Sequence, residues 1–184
     1  MAEQFEPFFA AADGSPAATY PDLDMLCIGD VQHGGRLRPS AFTPSEARLL
    51  MTLWSFCGAP LIMGGALPPS SPDTLALLAN PPTLRVHGAA HGRRVLRPGG
   101  GAEVHGWAAI PDEAPGEAYV ALLNAADAPV NATLALAGLP WLPSGGVCAT
   151  DLWAGGAAAG AFPNGVLFAV LAPHSAAALR LAAC

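Results

Sequence analysis

The run Arg97-Pro98-Gly99-Gly100-Gly101 divides the sequence into two textures that no single repeating architecture accommodates. Ahead of it, capped helical patterns alternate with short apolar runs. Thr43-Pro44-Ser45-Glu46 has the form of a capping box with proline at the first helical position. Ala47, Leu50, Met51, Trp54 and Cys57 then recur at three- and four-residue intervals, which predicts a helix with one apolar stripe, ended by Gly58. Pro60-Leu61-Ile62-Met63-Gly64-Gly65 is a short apolar run between breakers and predicts a fully buried parallel strand. Ser71-Pro72-Asp73 opens a second helix that ends at Asn80-Pro81-Pro82. Upstream, the segment from Tyr20 to Gly29 alternates at the period of a strand, which puts the Asp22 and Asp24 carboxylates on one face. A polar Gly-rich loop with His33, Arg36 and Arg38 follows it.

Beyond the glycine run the helical signals stop. Short runs at 103–109, 118–124, 132–136, 147–153, 166–171 and 176–181, separated by Gly and Pro turns, predict an antiparallel β-sandwich. The expected organisation is therefore an N-terminal segment at 1–19, an α/β unit at 20–98 and a sandwich domain at 99–184. Residues 1–19 carry Phe5, Phe8 and Phe9 and a turn at Asp13-Gly14-Ser15-Pro16, and read as a short helix or loose segment. Strand, helix, strand, helix is the rhythm of an α/β sheet or barrel. Two helices cannot close a barrel, which takes eight parallel strands, so the first half reads as the end of something larger.

Composition narrows the function classes. At 52% hydrophobic and 12% charged, with mean hydropathy +0.39, the chain is not held open by charge. All eight basic residues are arginine and the net charge is −6, so there is no basic stripe for a phosphate backbone and nucleic acid is not an expected partner. No uninterrupted apolar stretch is long enough for a membrane span. Glu3 and Glu6 stand where an export signal carries positive charge. Cys27, Cys57, Cys148 and Cys184 are scattered singly, without the spacing of a zinc or thiol-redox site, so neither metal nor cofactor is expected. Asn131-Ala132-Thr133 is a glycosylation triplet, meaningful only in a secretory compartment.

Four blocks carry a family resemblance: Tyr20-Pro21-Asp22-Leu23-Asp24-Met25-Leu26, Met51-Thr52-Leu53-Trp54-Ser55, Ala59-Pro60-Leu61-Ile62-Met63-Gly64-Gly65 and Leu78-Ala79-Asn80-Pro81. Their order and spacing resemble the end of the catalytic barrel of melibiase-type α-galactosidases, glycoside hydrolase family 27. Tyr119 to Asn124, Asp151-Leu152-Trp153 and Pro173-His174-Ser175 are similar to that family's C-terminal domain. The resemblance implies the C-terminal portion of a (β/α)8 barrel followed by an antiparallel β-sandwich, and a protein acting on terminal α-galactosides by retaining hydrolysis. It also implies a secreted or vacuolar, lysosome-like location if a preceding part carries a signal peptide.

In such a mechanism one carboxylate attacks the anomeric carbon and a second alternates as acid and base. In the family both lie upstream, in Lys-x-Asp and Trp-Arg-x-x-x-Asp settings that are absent here, so no catalytic residue is assigned and the chain alone is expected to be inactive. Asp24 and Met25 match positions lining the galactose pocket, the carboxylate accepting sugar hydroxyls and the methionine meeting the apolar ring face. Asp22 matches the first acid of the pair and is expected to hold the strand end by hydrogen bonds. Making Asp22 and Asp24 the catalytic pair fails because two acids on one strand cannot flank opposite sides of a sugar ring. Trp54 and Met63 read as core, and Trp153 and His174 as packing and hydrogen-bonding residues of the sandwich. The family's acid after the second strand is replaced at Gly65-Ala66-Leu67, and Arg85-Val86-His87 stands where the family has Asn-Gln-Asp. The rival reading is a non-catalytic carbohydrate-binding or interaction module in which only the sandwich matters.

Overall fold

The structure, a computed structural model, describes residues 21–111, 114–136, 139, 142 and 146–184. The expected N-terminal segment at 1–19 lies outside the described residues.

Helix α1, Pro44–Cys57, forms where the capping box places it. Thr43 Oγ1 accepts from Glu46 N, and Glu46 Oε2 accepts from Thr43 N at 2.7 Å, so two otherwise orphaned donors are satisfied. Gly58 ends the helix in the left-handed conformation (φ 70°). A Cβ there would also stand 2.6 Å from the Arg93 guanidinium carbon and would have to displace that side chain. Helix α2, Pro72–Leu78, is capped by Ser71. Asn80-Pro81-Pro82, expected to close the helical region, instead opens a further helix, α3, Pro81–Ala89. Asn80 Oδ1 accepts from Thr83 N at 3.0 Å, and proline costs nothing in a first helical turn, so the same residues that stop one helix start the next.

The Gly-rich segment after residue 29 is an antiparallel hairpin rather than a loop: β1, Asp30–His33, pairs β2, Arg36–Pro39, around Gly34 and Gly35. Both glycines have positive φ, as a two-residue hairpin turn needs. The rest is antiparallel sheet. β3, Ala90–Leu96; β4, Val104–Pro111; β5, Ala118–Asn124; β7, Val147–Asp151; β8, Ala157–Phe162; and β10, Ser175–Ala183, make a six-stranded sheet in the order β3-β4-β5-β10-β7-β8. β6, Val130–Ala135, and β9, Val166–Leu171, make a two-stranded sheet facing it. The six-stranded sheet begins at Ala90, ahead of the expected boundary at 99, because β3 pairs directly with β4.

Each face of the large sheet carries a core. Leu96, Val104, Val120, Leu122, Leu179 and Leu181 meet Leu134, Leu167 and Leu171 of the small sheet. On the opposite face Trp107, Tyr119, Leu123 and Ala178 meet Met51, Trp54 and Phe56 of α1. The helical part and the sandwich thus share one apolar interface. Polar pairs lock it: Trp153 Nε1 donates to Thr52 Oγ1 at 3.0 Å. His174 lies 3.2 Å from Glu46 Oε1 and 2.9 Å from Asp127 Oδ1.

The four cysteines divide into a disulfide, Cys148–Cys184, beside the β7–β10 pairing, and two free thiols, Cys27 exposed and Cys57 buried. Among the described residues no helix is long and apolar enough to cross a membrane.

Candidate functional site

Residues 21–28 do not form the regular strand expected of them. Leu26 alone pairs, in parallel, with Met63: Leu26 N donates to Ile62 O at 2.8 Å, and Gly64 N to Leu26 O at 2.9 Å. The parallel direction agrees with expectation, but full burial does not. Met25 is 47% and Ile62 51% exposed, because one neighbouring segment covers one edge of each run and nothing described covers the rest.

The departure from strand geometry is local to Asp24, whose φ is +64°. Pro21 and Leu23 are buried while Asp22 and Asp24 are exposed, the alternation expected of a strand. After Asp24 the phase slips by one: Met25 and Cys27 are exposed, Leu26 and Ile28 buried. A left-handed residue inserts the extra half-turn, so the adjacent side chains of Asp24 and Met25 both face outward. Regular extended backbone would send them to opposite faces.

Such a conformation costs a non-glycine residue roughly 1–2 kcal/mol, and it persists only where its surroundings hold it. Here Asp22 Oδ1 accepts from Asp24 N at 2.9 Å, and Asp24 Oδ1 accepts from Met25 N at 2.8 Å. Trp54 Nε1, from the buried face of α1, donates to Asp24 O at 3.2 Å. Asp22, expected to hold the strand end by hydrogen bonds, accepts one main-chain N–H, that of Asp24. Asp22, Asp24 and Met25 stand together at one exposed corner.

Two contributors escaped the sequence reading. Trp54 is core, as its spacing predicts, yet its indole also reaches 30 residues back to the Asp24 carbonyl. A tryptophan N–H needs a partner when buried, and that was the available signal. Gly64 lets the second segment approach: a Cβ there would lie 2.9 Å from Met25 Cβ and 2.9 Å from Cys27 Sγ. Its reading as a strand breaker concealed this close contact.

An open cleft of about 650 Å³ lies elsewhere, lined by Ile28, Asp30, Phe42, Arg48, Asn80 and Trp153 among others. Asp22, Asp24 and Met25 are not in its lining. Its Trp153 ring carries the Arg48 guanidinium 5.5 Å from the ring centroid and donates to Thr52, so the tryptophan is engaged in joining helix to sandwich. Arg93 is half-buried. Its Nε donates to Phe56 O at 3.1 Å and its Nη2 to His87 O at 3.1 Å, closing the ends of α1 and α3. Burial lowers its pKa. Among the described residues no group of three or more His, Cys, Asp and Glu side chains gathers as metal ligands would.

Comparison with known proteins adds to this geometry. Residues 102–181 match the family model of the alpha galactosidase C-terminal beta sandwich domain. A glycoside hydrolase family 27 β-L-arabinopyranosidase from Geobacillus stearothermophilus is 29% identical and superposes with a TM-score of 0.84, over 100% of this chain and 41% of its own. The α-galactosidase I of Mortierella vinacea, 20% identical, superposes at 0.72 over 94% of this chain and 42% of its own. The α-galactosidase of Saccharomyces cerevisiae in complex with raffinose, 15% identical, superposes at 0.76 over 98% and 50%. These last two share the fold. The chain spans half or less of the length of each of these structures. No curated protein sequence matches it. The second half of the chain is thus similar to the alpha galactosidase C-terminal β-sandwich domain, and the chain as a whole resembles glycoside hydrolase family 27 proteins.

Proposed function

We propose that this chain is the C-terminal part of a family 27 glycosidase, in which the residues ahead of Ala90 complete a (β/α)8 barrel and residues 90–184 form the sandwich that braces it. The observation that carries the reading is the left-handed Asp24, held by Asp22 and Trp54, which turns the Asp24 carboxylate and the Met25 thioether outward side by side. A pyranose presents hydroxyls at its rim and carbon–hydrogen bonds on its face, so an acceptor carboxylate next to a soft apolar side chain suits it. The parallel contact of Leu26 with Met63, with α1 lying between them in the chain, supports a terminal βαβ unit of such a barrel.

The substrate class is a terminal galacto-configured pyranoside. α-D-Galactopyranose and β-L-arabinopyranose share the same ring hydroxyl arrangement and differ in the hydroxymethyl group at C5. The α-galactosidase resemblance favours the first, and the Geobacillus relative acts on the second. The carboxylates that attack the anomeric carbon and protonate the leaving oxygen belong to the upstream barrel strands in this reading, and the chain alone does not turn over.

The test is complementation. The chain is mixed or co-expressed with the upstream barrel segment of a related enzyme and assayed on aryl α-D-galactopyranoside and aryl β-L-arabinopyranoside. Hydrolysis by the pair, absent from either part, and a loss of sugar affinity in Asp24→Asn support the reading. Hydrolysis by the chain alone, lost in Asp24→Asn or Asp22→Asn with the fold intact, overturns the assignment of these acids to binding. Sugar binding by the chain alone, with no gain of hydrolysis from several soluble partners, transfers the function to a binding module.

A further inference from the structure

The outer face of the small sheet carries a feature that the glycosidase reading does not use. Asn131-Ala132-Thr133, the one Asn-x-Ser/Thr triplet in the sequence, lies in β6. Ala132 points inward and is fully buried, while Asn131 and Thr133 point outward and are exposed. Their partners across the pairing are Val170 and Phe168, and Ala135 pairs with Val166. Residues directly opposite in an antiparallel pair share a face, with Cβ atoms about 5 Å apart. Val170, Phe168 and Val166 are 69%, 52% and 48% exposed. Three large apolar side chains in a row on the solvent side of a strand are unusual for a sheet whose opposite face already packs a core. Asn131 stands beside the most exposed of them.

A second, independent observation concerns compartment. The disulfide Cys148–Cys184 ties the strand ends of β7 and β10, with the two Cα atoms 4.9 Å apart. Disulfides persist in oxidising compartments, and in eukaryotes the first of these on the secretory route is also where asparagine is glycosylated.

We propose that Asn131 is an N-glycosylation site and that its glycan covers the Phe168–Val170 face. The donor is a lipid-linked diphospho-oligosaccharide. The Asn131 Nδ2 attacks C1 of its reducing-end N-acetylglucosamine, forming the Nδ2–C1 bond. The bond from C1 to the diphosphate oxygen breaks, the lipid diphosphate leaves with the electron pair, and a base of the transferase takes the amide proton. Thr133 supplies the hydroxyl that the transferase requires. In the folded chain Thr133 N and O are both bonded to Gly99, at 3.0 and 2.8 Å, so transfer precedes the docking of β6. The outward position of Asn131 lets the finished sheet keep the glycan in solvent. A polar, bulky group anchored beside Val170 shields the apolar row, which otherwise offers a surface for association.

The experiment expresses the full chain behind a secretion leader in a eukaryotic host and, in parallel, translates it in vitro with microsomal membranes. The second arm reads modification whether or not the protein is later secreted. The expected result is one glycan on the intact mass, removed by peptide N-glycosidase with conversion of Asn131 to aspartate. The glycan is absent from Asn131→Gln and Thr133→Ala and present in Thr133→Ser. An unmodified wild-type chain after translocation into microsomes overturns the proposal. Shielding is read by an apolar-surface dye: enzymatic deglycosylation raises its signal at least about twofold, and Phe168→Ser abolishes the rise. An unchanged signal overturns the covering role. None of these readouts involves galactoside chemistry, so the outcome is independent of the glycosidase reading.

Discussion

The indole Nε1 of Trp54 donates to the main-chain carbonyl of Asp24 across 3.2 Å, joining the buried face of α1 to the one non-glycine residue at the candidate site that adopts a left-handed backbone. The carbonyl direction is set by the peptide plane that follows Asp24, so this bond holds the turn that exposes Asp24 and Met25 together.

Replacing Trp54 with phenylalanine keeps the ring in the core and removes the donor. The expected loss of global stability is about 0.5–1.5 kcal/mol, while amide exchange at Met25 and Leu26 accelerates by more than global unfolding explains. Exchange that tracks global stability alone would show that Trp54 only packs. At Asp24 itself asparagine, which tolerates the left-handed region, leaves stability nearly unchanged, whereas valine costs about 1–2 kcal/mol more.

Two glycine-to-alanine changes should have opposite signs. Gly58 has φ +70° and no room for a Cβ beside the Arg93 guanidinium, so Gly58→Ala destabilises by more than about 1 kcal/mol and loosens the bonds of Arg93 to Phe56 O and His87 O. Gly88 lies in α3 with nothing within 4 Å of a built Cβ, so Gly88→Ala stabilises by up to about 1 kcal/mol. Denaturant midpoints of both variants measure the contrast.

Reducing Cys148–Cys184 releases a cross-link between residues 36 apart in sequence, and the expected cost is about 2–4 kcal/mol in denaturant unfolding. With the disulfide intact, an alkylating reagent should modify Cys27 alone. Cys57 is buried, and burial pushes its thiol well above the ordinary range, so it carries almost no thiolate. Mass spectrometry of the native labelled protein should show one adduct, with a second appearing on unfolding.

Glu46 holds the start of α1, and its pKa is lowered, first by the Thr43 backbone N–H and then by the Thr43 hydroxyl and His174. A carboxyl depressed in the folded state contributes stability above its unfolded pKa, near 4.3, and loses it as pH falls through the folded value. Glu46→Gln should therefore be less stable than wild type at neutral pH, with the difference shrinking below about pH 4. Urea midpoints of the two proteins across that range test it; a gap that persists undiminished into acid would assign the effect to packing.

Local chemistry was legible wherever neighbours in sequence decide the outcome. The Thr43–Glu46 box, Ser71 as a cap and Gly58 as a terminator act within one helical turn, and β4, β5 and β9 follow from short, mostly apolar runs bounded by Gly and Pro. The hairpin β1–β2 was obscured because its strands are short and β2 is exposed throughout, so no apolar alternation frames the Gly34-Gly35 turn. β8, Ala157–Phe162, is alanine- and glycine-rich and solvent-facing, with no pattern to read. Asn80-Pro81-Pro82 was ambiguous in itself, because proline both forbids the middle of one helix and suits the first turn of the next. Tertiary structure alone decided that α1 and the sandwich share a core, that Trp153 reaches Thr52 and that Trp54 reaches Asp24, since contacts so distant in sequence depend on how whole elements dock. It also decided the left-handed turn at Asp24. A strand pattern carries only the period of its side chains, whereas a single reversed φ, held by groups from another element, shifts that period and brings neighbouring residues to one face.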